Sequence, residues 1–560
     1  LKTSAIQPLS ILAIILLGLV VYSNTFFNSF HFDDFPDIIN NASIRDLHHL
    51  TRIWNFWPTR FITYLTLALN YHWGGLQVAG YHVLNLLFHL GASILVWYLV
   101  TLTMKTPFMK NEGLSAQAPW IAFISAVLFL VHPLQTQPVN YIYQRAVLLA
   151  AFFYLGALAL YVKSALVREI NPASRAWIPY YIAALVFAIL SPFSKETAVT
   201  LPFMVCLYQR FFLTPRRKFP WVMAVPFFMA ALLLPVVWLI VHPVDIRGAK
   251  STVEGYAGGI TVGTYFLTQI KVLVTYIRLA FLPIHQSVDY DYPAARSLFE
   301  VPVILSLLLL TAVLTAAGKL AGKYRMSTFG IFWFFITLMP ESSLWPNKDL
   351  VFEHRLYLPV AGFSMFLSSG IFYLFKNKNF LSVRFFFLLV CAYSFLTYQR
   401  NKVWENEVTL WDDAVHQFPR DQRAYLNRGA AYQVRGEIDR ALADYNMVIG
   451  LGSVDAVTLS NRGKIFLDKR QPELALANFD LAIKVNPNFA GTYMNRGLLY
   501  AIYGKLNLAM KDFNREIELL PGDPQAYLNR AKLYELEGDH VHSAWDLQKA
   551  GSLSQAQASL

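Results

Sequence analysis

Charged residues are scarce: Lys, Arg, Asp and Glu make up 15% of the 560 residues, against about 25% in an ordinary soluble domain. With 56% hydrophobic and 15% aromatic residues, a chain soluble along its whole length is excluded and a membrane location is implied. Cysteine is rarer still. Cys206 and Cys391 both fall in apolar runs, which excludes a disulfide framework or a thiolate metal cluster and leaves the redox compartment unread. No HExxH zinc motif is present, and no paired Gly- or Pro-broken spans suggest the inverted repeats of a transporter. Positive charge is in surplus, at +12 net. The Lys and Arg residues sit mainly in short segments between apolar stretches, as the positive-inside rule expects, so no nucleic-acid partner is predicted.

Stretches long enough to cross about 30 Å of hydrocarbon as helices lie near 8–25, 82–104, 118–132, 139–162, 177–193, 197–213, 219–241, 301–318, 327–340, 356–375 and 384–400. The expectation is a polytopic all-α bundle of about eleven spans over residues 1–400. The first run, Leu9–Tyr22, lacks a small-residue cleavage site and reads as an uncleaved anchor. The basic clusters Lys105/Lys110, Lys163/Arg168/Arg175, Arg216/Arg217/Lys218, Lys319/Lys323/Arg325 and Lys376/Lys378/Arg384 then share one side, the cytoplasm. Thr264–Leu282 breaks that parity if counted as a span. It is therefore predicted to be interfacial or re-entrant, with Gln269, Lys271 and Arg278 facing water or a cavity. The loops 26–80, 133–138, 191–196, 242–300 and 341–355 would share the outer face with everything after residue 400.

From residue 401 to 560 the composition turns polar and repeats every 34 positions. Asn427, Asn461, Asn495 and Asn529 keep that step, each followed by arginine, and so do Gly429, Gly463, Gly497 and Ala531. Small residues recur at Ala441, Ala475, Ala509 and Ser543, and bulky ones at Trp411, Tyr445, Phe479, Phe513 and Leu547. Pro419, Pro487 and Pro521 stand between units. A 34-residue helix-turn-helix unit of this pattern is the tetratricopeptide repeat (TPR). Trp411 and Pro419 fall one period early, which predicts half of an extra capping unit and a solenoid docked to the bilayer rather than loosely tethered.

The outer loops hold the residues able to do chemistry. Adjacent Asp33 and Asp34, followed by Asp37, Asn40 and Asn41, are placed to deprotonate a hydroxyl or bind a cation. The same residues would serve equally as a solvated loop start or helix cap. His82, Asn85 and His89 share one helix face, where polar groups also bond neighbouring helices. Arg145, Ser194-Lys195-Glu196, and Glu353-His354-Arg355 with Tyr357 complete the set. A carboxylate pair and several cations beside an apolar bundle suit a lipid phosphate. Glycosyl transfer from a polyprenyl phosphate needs an acid group to take the acceptor's proton and cations to stabilise the departing phosphate.

The order Asp33-Asp34 with Asn40-Asn41, Arg60-Phe-Ile-Thr, Asn70-Tyr, Tyr81-His82-Val-Leu-Asn85, His132-Pro133, Ser194-Lys195-Glu196-Thr197 and Glu353-His354-Arg355-Leu-Tyr-Leu-Pro, followed by TPRs, resembles the transmembrane-and-TPR O-mannosyltransferases and their bacterial relatives. The resemblance spans nearly the whole chain. It implies a GT-C membrane glycosyltransferase that moves one sugar from a polyprenyl-phosphate carrier to a Ser or Thr hydroxyl with inversion. It maps the catalytic base onto Asp33 or Asp34, with Asp33 the first choice. His354 and Arg355, with Lys195 and Arg145, would contact the carrier phosphate, Glu353 would join them at the donor site, and Tyr357 and His82 would line the sugar pocket. The second turn departs from the family: it reads His132-Pro-Leu-Gln-Thr-Gln137 where an acidic residue is common, leaving no acid to assign there. No cofactor is required, and metal independence is expected, although a carboxylate pair is able to hold Mg²⁺ or Mn²⁺.

By analogy with the soluble O-linked N-acetylglucosamine transferase, Asn427, Asn461, Asn495 and Asn529 would grip an extended protein acceptor, because an amide both donates and accepts. Asparagine is also common at this TPR position for structural reasons. Two rivals stand: a transferase acting on a lipid or polysaccharide acceptor, and a non-catalytic scaffold that needs only its repeats. Few repeats and short loops favour a bacterial inner membrane with the solenoid periplasmic, the alternative being an endoplasmic reticulum with the solenoid lumenal.

Overall fold

The computed structural model describes residues 3–110, 112, 114–213, 220–241, 260–342, 346–375 and 379–559. Arg216, Arg217, Lys218, Lys376 and Lys378 of the predicted basic loops lie outside them. The described residues form helices and connecting turns, divided into two compact units, Leu1–Asn406 and Glu407–Leu560.

In the first unit, the helices of seven residues or more are α1 (Thr3–Val21), α2 (Leu50–Phe56), α3 (Phe61–Gly74), α4 (Val78–Thr103), α5 (Ala118–Val131), α6 (Arg145–Ile170) and α7 (Ile178–Leu190). After them come α8 (Leu201–Tyr208), α9 (Trp221–Val241), α10 (Val262–Phe281), α11 (Val301–Leu320), α12 (Arg325–Leu338), α13 (Tyr357–Leu374) and α14 (Asn379–Asn401). Among the described residues, six helical segments are long and apolar enough to cross a membrane: Val78–Thr103, Ile142–Ile170, Trp221–Val241, Val301–Leu320, Glu353–Leu374 and Phe380–Trp404. A seventh is available if α5 and Pro133–Asn140, bent by 52°, form one span. Gln7–Val21, Ile178–Leu190 and Arg325–Leu338 are shorter apolar helices, so the expected eleven full spans are not what the fold displays. The clearest departure is 197–213. There a 3₁₀ turn (Glu196–Thr200), the eight-residue α8 and a π turn (Gln209–Leu213) follow one another, and no single helix is long enough to span.

The core lies where α4, α5, α6, α12 and α13 pack, whereas α9, α11 and α14 keep most of their side chains outside it. Small residues set the closest approach: a Cβ added at Gly330 of α12 would stand 2.3 Å from the Gly362 carbonyl oxygen of α13. Glycines that let backbones touch are how helices pack where no water drives them together. The break after α5 has a local cause. Pro133 lacks an N–H, and the His132 ring accepts the Leu134 N–H (3.2 Å) through Nδ1 while Nε2 bonds the Ala280 carbonyl of α10 (2.9 Å).

The second unit contains α15 (Glu407–Gln417), α16 (Gln422–Val434), α17 (Ile438–Gly450), α18 (Ala456–Asp468), α19 (Pro472–Val485), α20 (Ala490–Ile502), α21 (Leu506–Leu519), α22 (Pro524–Leu536) and α23 (His540–Ser559). Gly429, Gly463 and Gly497 each face an aromatic ring of the paired helix: Tyr445, Phe479 or Phe513 would lie 2.6–2.8 Å from an added Cβ. Trp411, Tyr445, Phe479 and Phe513 are buried as expected. Leu547 is not: it is 47% exposed, and at the last helix no further repeat is described to cover it.

Candidate active site

The carboxylate pair is divided by a turn. Asp34 N–H reaches the His31 carbonyl (2.9 Å) and Phe35 N–H that of Phe32 (3.0 Å), with Phe32 at φ +47°. A bulky residue in the left-handed region costs about 1–3 kcal/mol and persists only where the surroundings enforce it. Asp34 supplies that enforcement. Fully buried, its carboxylate accepts the N–H groups of His31 (2.9 Å) and Tyr143 (2.7 Å). Burial pushes its carboxyl up to about 7, although those two N–H bonds pull the other way. Asp33, one residue earlier, is exposed. Its N–H donates to the Tyr141 hydroxyl (3.0 Å).

Beside this turn lies a cluster of cations. The Arg60 guanidinium donates through Nε and Nη2 to the Glu196 carboxylate (3.0–3.1 Å) and through Nη1 to the Tyr143 hydroxyl (2.7 Å). Lys195 Nζ pairs with Glu341 at 2.9 Å, and Arg355 Nε approaches the other Glu341 oxygen at 3.9 Å. Arg355 also donates to the carbonyls of Leu350 (3.1 Å) and Asp349 (2.8 Å). Burial alone would raise both glutamates. The charges of Arg60 on Glu196, and of Lys195 and Arg355 on Glu341, outweigh it and hold both carboxyls below the usual range. Burial lowers the Lys195 ammonium against the pull of Glu341. Three cations against two carboxylates leave an excess of one positive charge.

Arg60, Lys195, Glu196 and Glu341 form the polar end of a cavity of about 1050 Å³. Apart from Asn55, Thr59, Thr197 and Asn347, its other lining residues are apolar, many of them from α9, including Phe228, Leu232, Pro235 and Trp238. An anion with a long hydrocarbon tail matches both ends. His354 stands behind the cluster: its N–H donates to Gln137 Oε1 (2.6 Å), its ring stacks on Phe352, and its Nδ1 has no partner among the described residues. Gln137 thus anchors the His354 turn.

Of the seven predicted donor residues only Lys195 lines this cavity; His354, Arg355, Arg145, His82, Tyr357 and Glu353 do not. Arg145 is a buried brace, bonded to Asn85 Oδ1 (2.8 Å) and to the carbonyls of Thr66 and Tyr81 (3.1 Å each). His82 Nε2 holds the Asn28 carbonyl (2.9 Å), and the Tyr357 hydroxyl meets His89 Nδ1 (2.9 Å). Glu353 accepts from Gln286 (2.8 Å), the Ser287 N–H (2.9 Å) and Tyr290 (2.6 Å), tying down that loop. Conversely, the sequence assigns no specific role at the site to Arg60, Glu196, Glu341, Tyr141 or Tyr143. Arg60, Glu196 and Glu341 stand in loops that the sequence marked, but partners 136 residues apart leave no local signal. Among the described residues, no group of three or more His, Cys, Asp or Glu is arranged to hold a metal.

In the second unit, the four asparagines differ in exposure. Asn495 and Asn529 are 9% and 6% exposed, and Asn495 donates to Ser460 of the preceding unit's first helix (3.0 Å). Asn427 and Asn461 are half-buried. The arginines that follow them are staples. Arg496 bonds Asp480 (2.6 Å) and Asp512 (2.7–2.8 Å), sixteen residues before and after it. Arg428 and Arg530 repeat that spacing, and so does Arg462, whose partners Asn446 and Asn478 are uncharged.

The chain is similar in sequence to known proteins. Protein O-mannosyl-transferase F38B6.6 of Caenorhabditis elegans is 26% identical over 444 residues, covering 75% of this chain and 59% of its own length. Protein O-mannosyl-transferase TMTC3 of Homo sapiens is 25% identical over 478 residues, covering 76% and 50%. The chain is a relative of the transmembrane-and-TPR protein O-mannosyl-transferases. It spans between half and three-fifths of the length of these O-mannosyl-transferases. No family model matches the chain. Among solved structures, MamA is 20% identical with a TM-score of 0.25, covering 27% of this chain and 90% of its own. YrrB, a TPR protein with an unusual peptide-binding site, is 22% identical with a TM-score of 0.23, covering 27% and 79%.

Proposed function

We propose that this protein transfers a single sugar, mannose by the names of its relatives, from a polyprenyl phosphate to Ser or Thr hydroxyls of a polypeptide. The observation that carries the reading is the cavity, with Arg60 and Lys195 at its polar end and the apolar side chains of α9 along its length. The carrier phosphate sits against Lys195 and Arg60, and the prenyl chain follows the apolar wall. Asp33, the exposed member of the pair, takes the acceptor hydroxyl's proton. The freed oxygen attacks C1 from the face opposite the phosphate, the C1–O bond to phosphate breaks, and the configuration inverts. The leaving group is a phosphate monoester whose negative charge the cations stabilise, so the step needs no metal. The bundle is of GT-C type. The solenoid presents the acceptor, from the periplasmic side of a bacterial inner membrane or the lumenal side of an endoplasmic reticulum.

The test is transfer from a lipid-linked sugar to a Ser/Thr peptide by the purified protein in detergent or nanodiscs. Asp33→Asn should lower kcat by about 10²–10⁴, with an unchanged unfolding midpoint. Lys195→Met should lower turnover by about 10²–10³. Full activity of Asp33→Asn would falsify the assignment of the base. Product found only on lipid or glycan acceptors would move the reading to the non-protein transferase.

A further inference from the structure

A second hydrophobic feature belongs to neither the reaction nor the solenoid. Between α10, α11, α12 and α13 runs a groove of about 640 Å³ that shares no lining residue with the catalytic cavity. Phe281, Phe335, Phe363 and Phe366 line it at one end and Tyr324 and Leu374 at the other. Phe363 to Leu374 is eleven helical steps, roughly 16 Å, enough for most of one acyl chain. Its Tyr324 end lies at the start of α12, whereas Glu341 follows the other end of that helix. One flank, α11, keeps most of its side chains outside the protein core, so the groove borders the hydrocarbon region.

The charges at the Tyr324 end are specific. Arg325 is committed within the protein: it pairs with Glu112 (3.4 Å), donates to the Phe211 carbonyl (3.2 Å) and lies over the Phe108 ring (3.8 Å). Lys319 and Lys323 are exposed and have no ion-pair partner among the described residues, Lys323 resting 5.1 Å from the Tyr324 ring centroid. They stand at the C-terminal end of α11, within one turn of Leu320, which lines the groove. Two unpaired cations at the mouth of an apolar groove complement a ligand with an anionic head and a hydrocarbon tail. At a cytoplasmic surface that ligand is an acidic phospholipid.

We propose that this groove holds one acyl chain of an anionic phospholipid, with the headgroup phosphate between Lys319 and Lys323. A zwitterionic lipid presents the same chain without the net charge, so each lysine favours the anionic lipid by roughly fivefold. The site does not depend on the proposed reaction, and its failure would leave that reading intact.

Native mass spectrometry of the full-length protein, delipidated and then titrated with phosphatidylglycerol or phosphatidylcholine, tests this. The wild type should retain one phosphatidylglycerol at least about tenfold more tightly than phosphatidylcholine. Lys319→Gln with Lys323→Gln should abolish that preference, phosphatidylglycerol retention falling to the level of phosphatidylcholine. Ala316→Phe and, separately, Gly370→Leu should lower retention of both lipids, since Ala316 and Gly370 line the groove and a Cβ at Gly370 meets only Ser327 Oγ, at 3.6 Å. Equal retention of the two lipids by the wild type, unchanged retention in all these variants, or co-purification of a polyprenyl phosphate in the groove would each overturn the proposal.

Discussion

Asp33 and Asp34 are neighbours in sequence with opposite surroundings, the first exposed and the second buried. Asp34 takes two backbone N–H groups into a buried site, so Asp34→Ala should cost about 1–3 kcal/mol of stability from the unsatisfied donors, measured as a lowered unfolding midpoint. Its pH dependence has a definite sign. The folded value of about 7 stands above the ordinary 3.8, so the fold favours the neutral acid. That contribution is complete below about pH 4 and is lost as pH rises through about 7. The wild type should therefore lose stability between pH 4 and 7 relative to Asp34→Asn; parallel pH profiles would show that the carboxyl does not titrate in that window. Neither setting is written in the local sequence, where both residues are acids in one polar loop. The division arises from Tyr143, 109 residues away, whose N–H claims one of them.

Among the elements, the α12–α13 crossing and the arginine staples are the most exposed to test. Gly330→Ala places a methyl group 2.3 Å from the Gly362 oxygen, and the two helices must separate to admit it. A drop of about 1–3 kcal/mol is expected from overpacking, while Gly322→Ala, with nothing within 4 Å of its added Cβ, should leave the midpoint unchanged. In the solenoid, Arg496→Ala strands the buried Asp512 carboxylate, at a cost of about 3–5 kcal/mol. Arg462→Ala removes only bonds to amides, at about 1 kcal/mol. Hydrogen exchange of α20 and α21 against α18 and α19 separates the two. The period of 34 made these helices legible, because several columns in register require one packing unit. The staples were half legible: the arginine column showed, but its partners sixteen residues away carry Asp in some repeats and Asn in others.

At the scale of the whole molecule, the proposed reaction assigns the acceptor to the solenoid. Asn427 and Asn461 are the half-buried members of the asparagine column. Replacing both by Ala should raise KM for a long unfolded polypeptide several-fold and leave transfer to a short Ser/Thr peptide unchanged. An equal effect on both substrates would remove the solenoid from acceptor binding.

Composition and periodicity by themselves determined that the chain is helical, that its first part is apolar enough for a membrane, and that its last 34-residue units form a solenoid. These are properties of patterns a few turns long. Tertiary structure decided which carboxylate is exposed, which cations meet a cavity and which brace the bundle, and where full spans give way to broken ones. Each of those depends on a partner brought in from a distant loop or helix. A residue's chemistry is set by the groups around it, and folding alone chooses them.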